Sequence, residues 1–146
     1  MLKGIPSMLS PELLKVLCEM GHGDQICIGD GNFPGAATAR GNVIFLRADG
    51  IGVPDLLDAI LQVFPLDTYV ETPVMLMSKM DRDKEMDIPL WHIYTRIIKK
   101  YDDRGSAAIG YYERFQFYDQ AKKCYCILQT GEVSQYANVI LQKGLI

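Results

Sequence analysis

Missing from these 146 residues is any block of basic side chains: 15 Lys and Arg face 18 Asp and Glu, for a net charge of −3. Nucleic-acid backbones are held by clustered positive charge, so no nucleic-acid partner is expected. No apolar run approaches the ~20 residues that span a bilayer. The opening Met1-Leu2-Lys3-Gly4-Ile5-Pro6-Ser7 lacks the apolar core and small-residue cleavage site of a secretion signal. A soluble, cytoplasmic chain with no membrane attachment is therefore expected. Histidine is scarce, with only His22 and His92, and Cys18, Cys27, Cys124 and Cys126 form no C-x-x-C pair. Cys124 and Cys126 would share one strand face, as a pair of metal ligands or as two small buried hydrophobes. The second is expected, and with it no metal, no cofactor and no disulfide, in keeping with a reducing compartment. H-E-x-x-H, a serine-nucleophile motif and a paired-carboxylate signature are also absent. No repeat, linker or low-complexity segment divides the chain, which reads as a single domain over 1–146.

What is present alternates between two hydrophobic periods. Ser10-Pro11-Glu12 opens a helix with a capping hydroxyl, a proline at the first position and an acid near the positive end of the dipole. Leu13, Leu14, Leu17, Cys18 and Met20 follow at helical spacing, and Gly21 supplies the stop. Gln25 to Ile28 and Asn42 to Ala48 read as buried strands separated by a Gly- and Ala-rich loop. Val53 to Phe64 is a second helix and Val74 to Met80 a third strand. The methionines of that strand either fill the core or line a ligand surface, and core filling is expected. Asp81 to Asp87 reads as a solvated charged loop, and Pro89 starts a third helix ending near Lys99 and Lys100. Within it, His92 reads as a surface or helix-packing residue and Trp91 marks a candidate contact between subunits. Ala107 to Tyr112 is a strand, Glu113 to Lys123 a helix, and Tyr125 to Thr130 and Ala137 to Leu141 the last two strands. The implied fold is α/β: a mixed, roughly six-stranded sheet flanked by helices. The final two strands lie too close in sequence for a helical crossover, so they are expected to pair antiparallel.

Candidate chemistry gathers where these elements end. His22 lies between Gly21 and Gly23, which leave the backbone free and the imidazole unobstructed. It faces a pocket as an acid-base group, histidine being the side chain best suited to that work at physiological pH, or it caps a turn by donating to a carbonyl. The loop Gly29-Asp30-Gly31-Asn32-Phe33-Pro34-Gly35 has neither phosphate-loop spacing, and Pro34 removes an N–H, so nucleotide binding is rejected there. Asp30 suits gripping hydroxyls or closing an Asx-turn. Arg114, just past a strand, is a ligand-binding candidate or a partner of Glu113 or Asp119. Tyr136 and Asn138, two apart, would present a phenol and an amide on one side, or serve as a packed ring and a turn former.

In order along nearly the whole length, these segments resemble one family. Leu9-Ser10-Pro11-Glu12-Leu13-Leu14, Met20-Gly21-His22-Gly23-Asp24, Arg47-Ala48-Asp49-Gly50, Leu66-Asp67-Thr68-Tyr69, Arg114-Phe115 and Thr130-Gly131-Glu132 look like the fucose branch of the L-fucose mutarotase and D-ribose pyranase family. The resemblance implies proton donation by His22, with Asp30, Arg114, Tyr136 and Asn138 holding the sugar. Tyr136 is then also a candidate second acid-base group. It further implies a homo-oligomer, a decameric ring with sites between neighbouring subunits, acting on the small-molecule partner L-fucose. Arg114, where the ribose branch has histidine, favours fucose over ribose. Asn32 and the Tyr136-Ala137-Asn138 triplet depart from the commoner fucose-branch pattern. D-ribose pyranase activity and a non-catalytic, ring-forming sugar-binding protein are the alternatives.

Overall fold

Ser10 caps the first helix as its sequence predicts, accepting a hydrogen bond from the Leu13 N–H at 3.1 Å, and Pro11 occupies the first position. In the computed structural model, which describes residues 2–146, this helix α1 runs Pro11–Glu19 and buries Leu13, Val16 and Leu17. It ends at Met20, which is already extended, so the chain leaves the helix one residue before the expected Gly21 stop. The remaining elements are β1 (Gln25–Gly29), α2 (Gly35–Thr38), β2 (Ile44–Ala48), α3 (Val53–Leu61), β3 (Val74–Met77), α4 (Pro89–Tyr101), β4 (Ile109–Tyr112), α5 (Arg114–Ala121), β5 (Cys126–Thr130) and β6 (Val139–Gln142). Short 3₁₀ turns cover Asp81–Asp83 and Gly105–Ala108. The short helix α2 carries no sequence signal beyond two alanines.

The sheet is mixed and six-stranded, in the order β2-β5-β1-β6-β3-β4. Every neighbouring pair is parallel except the two that involve β6, which runs antiparallel to both β1 and β3. The expected pairing of the last two strands does not form, because β1 lies between them. Residues 131–138 carry the chain past the end of β1 instead of closing a tight hairpin, and Gly31 is bound to this connection through its N–H to the Glu132 carbonyl.

Alternation along the central strands produces two cores, one on each sheet face. Ile26 and Ile28 of β1, with Leu76, Leu128, Val139 and Leu141, pack against α1, α3 and α4. Cys27, Ile127 and Ile140 face the other way, onto Phe33 and onto Phe117 and Ala121 of α5. Cys124 and Cys126 are both buried, but in different cores, because Cys124 precedes β5 and escapes its alternation. Burial pushes each of these two thiols up to about 12. No helix among the described residues is long and apolar enough to cross a membrane.

Candidate active site

With five strands parallel and β6 reversed, one edge of the sheet collects the carboxyl ends of β1, β3, β4 and β5 and the amino end of β6. Ligand sites of open α/β sheets form at such an edge. Asp30 follows β1, Met80 lies beyond β3, Arg114 follows β4, and Tyr136 and Asn138 lead into β6. All five line one open cavity of about 390 Å³, together with Asn32, Met77, Asp83 and Tyr118.

Local structure holds each of these side chains in place. Asn138 clips Asp30 twice: its Oδ1 accepts from the Asp30 N–H at 2.8 Å, and its Nδ2 donates to Asp30 Oδ2 at 3.0 Å. Asp30 Oδ1 also accepts from the Asn32 N–H at 2.9 Å, so the Asx-turn and the pocket contact coexist. Burial raises the Asp30 pKa above its ordinary value, and the hydrogen bonds from Asn32, Phe33 and Asn138 offset only part of that rise. Gln129 supports the loop from below, its amide donating to the carbonyls of Asp30, Gly31 and Phe33. Gly35 packs on this amide so closely that a Cβ there would stand 2.5 Å from Gln129 Oε1. Glycine at this position is thus required by close packing.

Glu113 starts α5 with a capping box, accepting from the Phe115 and Gln116 N–H groups while Gln116 accepts from its own N–H. Arg114 is thereby the first helical residue, its guanidinium 5.8 Å from the Tyr118 ring centre. It pairs with neither Glu113 nor Asp119; Asp119 is taken by Lys122. Tyr136 has φ +57°, the one non-glycine residue with positive φ among those described. Trp91 supports this backbone, donating from Nε1 to the Tyr136 carbonyl at 2.9 Å. Met77 is buried in the smaller core and Met80 is exposed, and both line the cavity. The third strand's methionines therefore serve core and site together.

His22 is elsewhere. It precedes β1, whereas Asp30 follows it, and five strand residues rising ~3.3 Å each put roughly 16 Å of sheet between them. On that opposite edge His22 does not cap a carbonyl. Its Nε2 lies 3.2 Å from Asp67 Oδ1, and its ring centre 5.4 Å from that of Tyr69. Ionised Asp67 only accepts, so Nε2 carries the hydrogen and Nδ1 is left for other partners. Gly23, at φ +85°, turns the chain and donates to the Lys143 carbonyl. The His22 side chain is 39% exposed, that of Asp67 only 2%.

Asp67 is held on both oxygens. Oδ1 also accepts from the Tyr69 N–H, and Oδ2 accepts from Gln142 Nε2 at 2.9 Å. Gln142 Oε1 accepts from Gln25, whose own Oε1 accepts from Gln120, a chain of three aligned amides ending on the carboxylate. Desolvation works to raise the Asp67 pKa, but the bonds from Tyr69, Gln142 and His22 outweigh it and hold the carboxyl below its ordinary range. Nothing in the local periodicity marks Asp67. Its only signal is the Leu66-Asp67-Thr68-Tyr69 match to the family pattern. His92 pairs with Asp87 on the surface, as expected. Among the described residues no three His, Cys, Asp or Glu side chains gather in a metal-binding group.

A carboxylate, an amide, a guanidinium and phenols around a small cavity at the carboxyl edge of a mixed α/β sheet supply the donors and acceptors that a small polyhydroxylated molecule would need. Comparison with known proteins agrees: the chain belongs to the RbsD / FucU transport protein family, whose model matches residues 3–146. A curated fucose mutarotase of Bos taurus is 45% identical over 147 residues, covering 99% of this chain and 94% of that one. Among solved structures, FucU from Bifidobacterium longum superposes with a TM-score of 0.95 at 56% identity over 99% of each chain. The fucose mutarotase of Streptococcus pneumoniae, solved with L-fucose, gives a TM-score of 0.90 at 42% identity, also over 99% of each chain.

Proposed function

We propose that this chain is a single-domain, cytoplasmic sugar mutarotase that interconverts the α and β anomers of L-fucose. One observation carries the reading: Asp30, Arg114, Tyr136 and Asn138 converge on one cavity in a chain 42% identical to a protein solved with that sugar. Arg114, Asn138 and Asp30 hold the sugar hydroxyls. Mutarotation breaks the bond between the anomeric carbon and the ring oxygen. The anomeric hydroxyl gives up a proton as its oxygen becomes the aldehyde carbonyl, and the ring oxygen takes one. Reclosure on the other carbonyl face reverses both transfers. His22 supplies the proton to the ring oxygen, and Tyr136 is the second acid-base group, at the anomeric hydroxyl. A positioned acid-base group of this kind is worth ~10²–10⁴ in rate.

Because His22 and the cavity occupy opposite sheet edges of one chain, His22 must reach the cavity of a second copy. A closed ring of subunits, decameric by family resemblance, accomplishes this by repeating one head-to-tail contact. Saturation-transfer NMR on equilibrated L-fucose tests the activity: the protein accelerates anomer exchange, and His22→Ala abolishes that acceleration with binding retained. Wild-type exchange no faster than the buffer rate refutes the activity, and a fully active His22→Ala refutes the role of His22. Refolding His22→Ala together with Arg114→Ala in equal amounts tests the sharing of sites. Adjacent-subunit sites then recover about one quarter of wild-type activity by random mixing, whereas sites within one chain recover none.

A further inference from the structure

The Asp81–Asp87 stretch, solvated by its composition, folds back onto the cavity. Lys79 staples it, its Nζ donating to the Lys84 carbonyl at 2.7 Å and the Met86 carbonyl at 2.8 Å. Inside this turn the Asp83 side chain is only 17% exposed. The Tyr136 hydroxyl donates to Asp83 Oδ2 at 2.6 Å and accepts from the Met80 N–H at 3.1 Å. With its hydrogen committed to Asp83, the phenol oxygen presents its remaining lone pair to the cavity. Toward the cavity, then, the resting Tyr136 oxygen is an acceptor.

We infer that Asp83 is the proton-accepting partner of Tyr136, so that the phenol relays a proton between the sugar's anomeric hydroxyl and the Asp83 carboxylate. This rests on the mutarotase reading above. In ring opening the anomeric O–H bond breaks and its proton goes to the Tyr136 oxygen. The phenol's own hydrogen passes to Asp83 Oδ2, and the electron pair of the broken O–H bond forms the carbonyl. The bond to the ring oxygen breaks as that oxygen takes the Nδ1 proton of a doubly protonated His22, which is left as the neutral ring whose Nε2–H stays on Asp67. Reclosure runs the same transfers backwards, so Asp83, Tyr136 and His22 return to their starting states. Neither a tyrosinate nor any co-reactant is needed. That suits a phenol whose ionisation is disfavoured by desolvation and by the adjacent carboxylate. The charged groups facing the pair are Arg82, its Nε 3.5 Å from Asp83 Oδ2, and Arg114 and Asp30, which line the same cavity.

The test is Asp83→Asn, which keeps an acceptor for the Tyr136 hydroxyl but cannot take its proton. Anomer exchange is followed by NMR at saturating and limiting L-fucose, beside wild type and Tyr136→Phe. The saturated rate is expected to fall about 10²-fold with KM within a factor of about two. The Asp83→Asn/Tyr136→Phe double variant is expected to be no slower than the slower single variant, because the two groups act as one unit. A saturated rate within twofold of wild type overturns the relay, leaving Asp83 a structural anchor. So does a loss confined to KM, or losses that multiply in the double variant. Asp83→Ser, which removes the carboxylate without adding bulk, must show the same rate loss if Asp83→Asn fails to fold. A wild-type protein that does not accelerate exchange refutes the mutarotase reading itself, independently of the Asp83 result.

Discussion

Replacing Asn138 with leucine preserves side-chain size and removes both hydrogen bonds that clip Asp30 to β6. Asn138 and Asp30 are each 7% exposed, so water does not simply take over. The orphaned Asp30 N–H costs ~1–3 kcal/mol and the lost bond to the carboxylate ~1.5–3 kcal/mol. One clip makes both bonds, so the losses overlap, and about 3 kcal/mol is the expected sum. For a chain of this size that lowers Tm by ~6–12 °C. The pH dependence follows from the Asp30 carboxyl, raised by burial above its unfolded value. A raised acid favours the folded state when protonated, and that advantage is lost as pH rises from the unfolded to the folded pKa. Removing the Asn138 amide raises the folded value further, so the variant loses more stability over that window than wild type does. The Tm gap should therefore be wider at pH 7 than near pH 3.5. Calorimetry of both proteins at equal concentration, across that range, measures it. A Tm within about 1 °C of wild type at pH 7, or a gap independent of pH, refutes the reasoning.

Asp67→Asn should slow anomer exchange by about 10²-fold, because His22 loses the anionic acceptor that assigns its tautomer. The wild-type carboxyl is held below its ordinary range, so its stability contribution is full above the unfolded pKa and disappears as pH falls through the folded value. The Tm difference between Asp67→Asn and wild type should accordingly close on acidification, and one that widens contradicts the assignment. The single Trp, Trp91, donates to the Tyr136 carbonyl and lies 6.4 Å from its ring. Its emission should therefore change saturably with L-fucose, and unchanged emission with sugar bound, as judged by NMR, would remove Tyr136 from the binding cavity.

Strong local signals survived folding well. The Ser10 cap, the helical stripes and the apolar runs of β1, β2 and β5 all lie where their periods put them, and the strand-end polar residues Asp30, Arg114, Tyr136 and Asn138 line one cavity. Strand order was not legible, since a short link between β5 and β6 says nothing about β1 entering between them. The two cysteines went to opposite faces because one lies outside the strand that sets the alternation. Asp67 and Asp83 were hidden for a different reason. Each is hydrogen-bonded to a partner distant in sequence, 45 residues to His22 and 53 to Tyr136, and neither flanking segment has a period. A charged turn looks solvated until the residue that buries one of its carboxylates is known.

The reversal of β6 explains why the cavity residues and the His22–Asp67 pair lie at opposite sheet edges. Its amino end brings Tyr136 and Asn138 to the cavity, while its carboxyl end sends Gln142 to Asp67 and the Lys143 carbonyl to the Gly23 N–H. One four-residue stretch, buried over Val139–Leu141 and paired on both sides, therefore sets the position of the cavity residues and of the His22–Asp67 pair. Had β6 run parallel to its neighbours, both ends of this segment would exchange places and neither half would assemble as it does. The sheet fixes the two half-sites rigidly at a separation no side chain can cross, so flexibility within a chain cannot unite them. In the proposed ring the edge of another copy would unite them, using each subunit twice, once as binding half and once as proton donor.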